Sequence, residues 1–127
     1  MRRLQELIAA LLIAAFVIGI PVGATVAKSA FKEPQTIDLI IRQYEAGGYS
    51  RKTIRVKEGQ PVRLRLISED VTHGFIIGEL GIDAGFIKPG KPVIVEFTPD
   101  RKGEFSYVCS VVCSPAHPKL RGKLIVE

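Results

Sequence analysis

Four side chains able to bind a soft or borderline metal stand out: His73, and then Cys109, Cys113 and His117 spaced four apart toward the C-terminal end. The chain holds 2 cysteines and 2 histidines, so this set takes all of both residue types. Without a shared task, nothing requires them all to fall at one strand start and one loop. Thiolate and imidazole together suit copper or zinc, and thiolate softness favours the cuprous state through which an electron carrier passes. Each residue taken alone has a plainer reading. Cys109 and Cys113 fit a disulfide within an exported loop, and His73 beside Gly74 fits a partly buried, hydrogen-bonded histidine. Asp70 and Glu69, just before His73, are either outer acceptors that fix its tautomer or an exposed turn.

These residues need a frame. From residue 37 onward the apolar positions alternate or come in short runs, with Gly and Pro every eight to twelve residues, which is an all-β pattern. Seven strands are predicted, at 37–44, 53–57, 62–68, 73–77, 93–98, 103–109 and 119–126, enough for a small sandwich. Alternation is clearest in Val62, Leu64 and Leu66 against Arg63 and Arg65, and in Val93, Val95 and Phe97 against Ile94 and Glu96. Residues 58–61, 88–92 and 99–103 supply turns rich in Gly and Pro. The loop 109–118 then joins neighbouring strands at one pole of the sandwich, and His73 reaches it from another strand. Ligands held this way keep nearly the same geometry in both redox states, which suits fast electron transfer.

At 127 residues the chain has room for one such domain. Ahead of it, Arg2 and Arg3 precede an uncharged, largely apolar run over residues 7–27. Its 21 residues would cover about 30 Å of hydrocarbon as a helix, the thickness of a bilayer core. A retained anchor is the expectation; the rival is a cleaved signal peptide, for which 22–24 and 25–27 end in the small residue required. In either case the paired arginines stay cytoplasmic and the domain is extracytoplasmic. The expected organisation is an anchor at 1–27, a polar linker at 28–36 and a folded domain at 37–127. The formal charge of +5 is spread singly along alternating strands rather than clustered, so no nucleic-acid partner is expected. Arg51, Lys52, Arg55, Arg63 and Arg65 read as a solvated outer face, or else as a docking face for an acidic partner.

Residues 71–75 (Val-Thr-His-Gly-Phe), 87–90 (Ile-Lys-Pro-Gly), 103–105 (Gly-Glu-Phe) and 109–117 (Cys-Ser-Val-Val-Cys-Ser-Pro-Ala-His) together resemble the CuA domain of cytochrome c oxidase subunit II. The resemblance covers roughly 50–127 and joins two separated motifs in order. It implies a cupredoxin-like Greek-key β-sandwich or barrel behind one transmembrane helix, with Cys109 and Cys113 bridging two copper ions. His73 and His117 would be terminal ligands and the backbone carbonyl of Val111 a further one. Three positions depart from the family. Leu120 stands where the family has an axial methionine, which implies a raised reduction potential, an open position, or a mononuclear centre. The chain has 0 Trp, so the family's aromatic electron entry is missing, with Tyr107 or Phe86 as substitutes. Ser114 replaces a usual glycine.

The function implied is a membrane-anchored extracytoplasmic copper protein that passes electrons and performs no bond chemistry of its own. A c-type cytochrome or another cupredoxin would be its donor, and the catalytic subunit of an oxidase its acceptor. A copper-delivery or storage protein, a mononuclear copper cupredoxin and a disulfide-bonded interaction domain are the alternatives. The chain carries no haem-attachment motif and no Ser-His-Asp arrangement.

Overall fold

A computed structural model describes the backbone of residues 1–30 and 32–127 and the side chains of residues 1–16 and 32–127. The chain divides into two compact units, Met1–Glu33 and Pro34–Glu127. The first is a helix, α1 (Arg2–Ala30). Its opening turns are built from Leu, Ala, Gln and Glu, all strong helix formers, and carry Leu4, Leu7, Ile8, Leu11, Leu12, Ile13 and Phe16 exposed. Among the described residues no helix is both long and apolar enough to cross a membrane. The run expected to do so, 7–27, continues from residue 17 outside the residues whose side chains are described.

The second unit is an all-β sandwich. One sheet has three strands in the order β1 (Gln35–Ile41), β3 (Val62–Ser68) and β6 (Val93–Phe97). The other has five: β2 (Thr53–Val56), β8 (Arg121–Val126), β7 (Gly103–Val108), β4 (Ile76–Ile77) and β5 (Ile82–Asp83). β1 with β3 and β2 with β8 are parallel pairs; the remaining pairs are antiparallel. The period-2 alternation of β3 sends Val62, Leu64 and Leu66 fully inward beside Leu39 and Ile41 of β1. Phe75, Ile77, Tyr107 and Leu124 join the same core.

Among the described residues there are eight strands rather than the expected seven. The additional one, β5, has two residues and no period for a sequence reading to detect. The first strand stops at Ile41 instead of residue 44, because the chain turns there into a 3₁₀ turn, Tyr44–Ala46, closed by left-handed Gly47 and Gly48. His73 does not open a strand; it forms an isolated bridge with Ile87 across two backbone hydrogen bonds of 3.0 and 2.8 Å. The last strand starts at Arg121 because another 3₁₀ turn, His117–Lys119, fills the end of the preceding loop.

Candidate metal centre

The loop 109–120 leaves the β7–β8 hairpin at its end. Cys109 N–H donates to the Leu120 carbonyl at 3.2 Å, so the two ends of the loop are held as one more rung of that ladder. Tyr107, two residues before Cys109, is fully buried and lies across Gly122, where an added Cβ would stand 2.3 Å from its ring. Its hydroxyl donates to the Arg51 carbonyl, and burial pushes its pKa up to about 12. Cys109 is thereby planted on a rigid base.

His73 is fully buried. The turn before it is organised by Ser68, whose hydroxyl donates to the Val71 carbonyl, and by Asp70. One oxygen of Asp70 lies 2.6 Å from His73 Nε2 and accepts the Val71 N–H at 2.7 Å. With Nε2 so engaged, Nδ1 is the free ring nitrogen, and it lies 3.8 Å from Cys109 Sγ. Gly74 N–H donates to the same sulfur at 3.4 Å. Burial would raise the Asp70 carboxyl, but hydrogen bonds from Gln43 N–H, His73 and Val71 N–H bring it below its ordinary value. Asp70 therefore orients His73, one of the two readings open to it; Glu69 turns away to pair with Arg42 at 2.5 Å.

Cys109 and Cys113 are both free, with sulfurs 3.8 Å apart against about 2.05 Å in a disulfide. Cys109 Sγ also lies 3.2 Å from the Val111 carbonyl oxygen. Burial, followed by the neighbouring Cys109, pushes the Cys113 thiol up to about 11. The ligand atoms of His73, Cys109 and Cys113 all fall within 4.8 Å of one another. His117 is not in that group, yet its Nδ1 is buried without a hydrogen-bond partner. An unpartnered buried ring nitrogen is costly unless something occupies it.

Two residues at this pole carried no sequence signal. Gln43 donates from its side chain to the Cys113 carbonyl at 2.6 Å, across 70 positions. Tyr49 is buried with its hydroxyl unpartnered, and burial, followed by the ionisable neighbours Cys109, Tyr107 and Cys113, pushes its pKa upward. It packs edge-on against Tyr107 with ring centres 5.0 Å apart. Leu120, at the family's methionine position, is buried and packs toward Gly48. Of the two substitute entry points, Phe86 is exposed at 69% and Tyr107 at 0%, so Tyr107 offers no surface contact. The outer-face arginines are largely matched: Arg63 with Glu96, Arg65 with Asp38 and Arg55 with Glu127.

Fold and site together define a two-sheet β-sandwich with a thiol and imidazole cluster at one pole. The chain belongs to the family described as the cupredoxin-like domain, which matches residues 9–126. It is 30% identical over 82 residues to cytochrome c oxidase subunit 2 of Thermus thermophilus, a match covering 65% of this chain and 60% of that protein. The periplasmic domain of subunit II of cytochrome oxidase from Bradyrhizobium japonicum superposes with a TM-score of 0.62 at 18% identity, covering 76% of this chain and 86% of that one. A copper binding protein solved by NMR in its apo form gives 0.60 at 27% identity, covering 76% and 91%. The resemblance to a subunit II CuA-type cupredoxin, carried by the two sequence motifs, is supported by the family match and by the two cytochrome oxidase subunit II relatives.

Proposed function

We propose that this protein is a copper-binding electron-transfer protein of the CuA type, acting as the subunit II of a haem-copper oxidase. The observation that carries the reading is the convergence of His73 Nδ1, Cys109 Sγ and Cys113 Sγ, with the Val111 carbonyl beside them. The residues fit the metal. Two free thiols face a buried imidazole whose outer nitrogen is already occupied, and the orphaned Nδ1 of His117 supplies a further donor. His73, Cys109, Cys113, His117 and the Val111 carbonyl would hold the copper, the two sulfurs being close enough to serve two ions jointly. Bound copper supplies a one-electron couple.

The chain's own contribution is to hold the ligand set still. Asp70 fixes the His73 ring, Gly74 N–H supports the Cys109 sulfur, and the Cys109–Leu120 rung closes the loop. Leu120 in place of the methionine leaves a thioether out of the set, which shifts the reduction potential upward. Exposed Phe86 and Val112, near the two ligand-bearing segments, are suited to meet a donor such as a c-type cytochrome or another cupredoxin. The acceptor is the catalytic oxidase subunit.

The apolar run within residues 1–27 serves as the anchor, and the copper domain, which begins with the unit at Pro34 rather than at residue 37, lies on the extracytoplasmic side. Arg2 and Arg3 ahead of the apolar run, and the exposed Leu, Ile and Phe side chains on the opening turns of α1, support this single-pass arrangement.

Copper titration of the full chain in detergent, with metal analysis and EPR, tests the reading. Two coppers per chain and a signal from one electron shared over two nuclei are expected. One copper with a single-nucleus signal would replace the binuclear assignment by a mononuclear one, and no retained copper would end the copper reading.

A further inference from the structure

The residues read above as ligands come from two segments distant in sequence: His73 from the turn after β3, and Cys109, Cys113 and His117 from the loop after β7. The spacing between His73 and Cys113 determines what a metal there would meet. Neither segment fixes that spacing alone. A third segment touches both.

Gln43 sits at the corner after β1. Its backbone N–H donates to Asp70 Oδ2 at 2.7 Å, while the other oxygen of Asp70 lies 2.6 Å from His73 Nε2. Its side-chain Nε2 donates to the Cys113 carbonyl at 2.6 Å. A continuous run of three short hydrogen bonds thus passes from Cys113 through Gln43 and Asp70 to His73. Gln43 is itself pinned, since its carbonyl accepts the N–H of Ala46 at 2.9 Å and of Gly48 at 3.1 Å. The tight corner that ends β1 early is what presents both of its donors in the right directions.

We infer that Gln43 is a positioning residue that sets the distance between the His73 side and the Cys113 side of the centre. The inference rests on the reading of those two residues as ligands. Gln43 touches neither ligand atom. It acts through the Asp70 carboxylate on one side and the Cys113 peptide on the other. Partners of this outer kind commonly change metal affinity 10- to 100-fold when removed, because they hold the ligand orientation rather than the metal.

Gln43→Leu isolates the claim, since it removes the side-chain amide and leaves the backbone N–H on Asp70. Arg42→Met is the control. Arg42 ties the same corner to the turn before His73, through Glu69 at 2.5 Å, without bonding to the Cys113 loop or to a proposed ligand. Three quantities are measured on the full chain: copper release to a chelator, the EPR and optical spectra of the copper-loaded protein, and amide hydrogen exchange over residues 110–117 without metal. For Gln43→Leu, release about tenfold faster, a shifted spectrum and faster exchange confined to that loop are expected, with Arg42→Met matching the unsubstituted protein throughout. Wild-type release, spectrum and exchange in Gln43→Leu would overturn the inference, as would equal changes in Arg42→Met. If the unsubstituted protein takes up no copper, the proposed function fails on its own, and exchange in 110–117 still decides whether Gln43 holds the loop. Should Gln43→Leu not fold, Gln43→Asn, whose amide stops one methylene short, carries the same expectations.

Discussion

The β1–β3–β6 sheet and the metal-binding pole are built on opposite plans. In the sheet the inner side chains of β1 and β3 are packed and the charged outer ones are paired. Leu39, Ile41, Leu64 and Leu66 are fully buried, and on the outer face Asp38 stands opposite Arg65, and Arg63 opposite Glu96, each joined to its register neighbour. At the pole, polar groups are buried before their needs are met: the Tyr49 hydroxyl and His117 Nδ1 have no hydrogen-bond partner, and two thiols face each other as free groups. A fold can carry that cost at one end because hydrophobic burial elsewhere supplies the stability. Groups left unsatisfied inside an otherwise satisfied protein mark a place prepared for something else.

Substitutions in the two regions should therefore fail in different ways. Leu66→Ala empties a fully buried position in the sheet and is expected to cost about 2–5 kcal/mol of stability. Thermal unfolding will read this, while the copper spectrum of the folded fraction stays unchanged. Gly74→Ala strikes the pole instead. Its Cβ would stand 2.0 Å from Ser110 Oγ and 3.1 Å from Ser110 Cβ and N, so overpacking of about 1–3 kcal/mol is expected together with a changed copper spectrum. Adding Ser110→Gly to that variant removes the two side-chain contacts and should restore most of both losses; no recovery would mean that the glycine matters for another reason.

Asp70→Ala is expected to lower copper affinity about tenfold with little change in unfolding temperature, because it releases the His73 ring without opening the core. A chelator competition assay measures this directly. The smallest effect belongs to the sheet's outer face. Arg65→Met removes the hydrogen bond that holds the Asp38 carboxyl below its usual range, and the exposed pair should shift unfolding by no more than about 2 °C. Since the folded pKa of Asp38 is depressed, the contribution is present above the unfolded carboxylate value and is lost as pH falls through the folded one. The two unfolding curves should accordingly merge in acid. A difference that grows as pH falls would contradict the assignment.

The same contrast explains how much the sequence revealed. The sheet was legible because its information is local: Val62, Leu64 and Leu66 against Arg63 and Arg65 name both the strand and its inner face. The donor types at the pole were legible because the only two cysteines and two histidines fall in two motifs. Asp70 was visible as a neighbour of His73, although only the fold separates its role from that of Glu69. Gln43 was invisible, since its bonds span 27 positions to Asp70 and 70 to Cys113. The two-residue β5 and the isolated bridge of His73 arise from pairings that leave no local period to read. Tyr49 gave no signal because a tyrosine before a polar run is ordinary, and its unpartnered hydroxyl exists only once the sandwich closes over it.

X-ray absorption at the copper edge of the loaded full chain, with Cys109→Ser measured beside it, decides whether the cysteines and histidines hold copper. Sulfur and imidazole nitrogen scatterers around copper, with the sulfur contribution lost and copper no longer retained in Cys109→Ser, are the predicted result. A shell of oxygen and nitrogen alone, unchanged by the substitution, would mean that the cysteines do not hold the metal and that the pole serves another purpose.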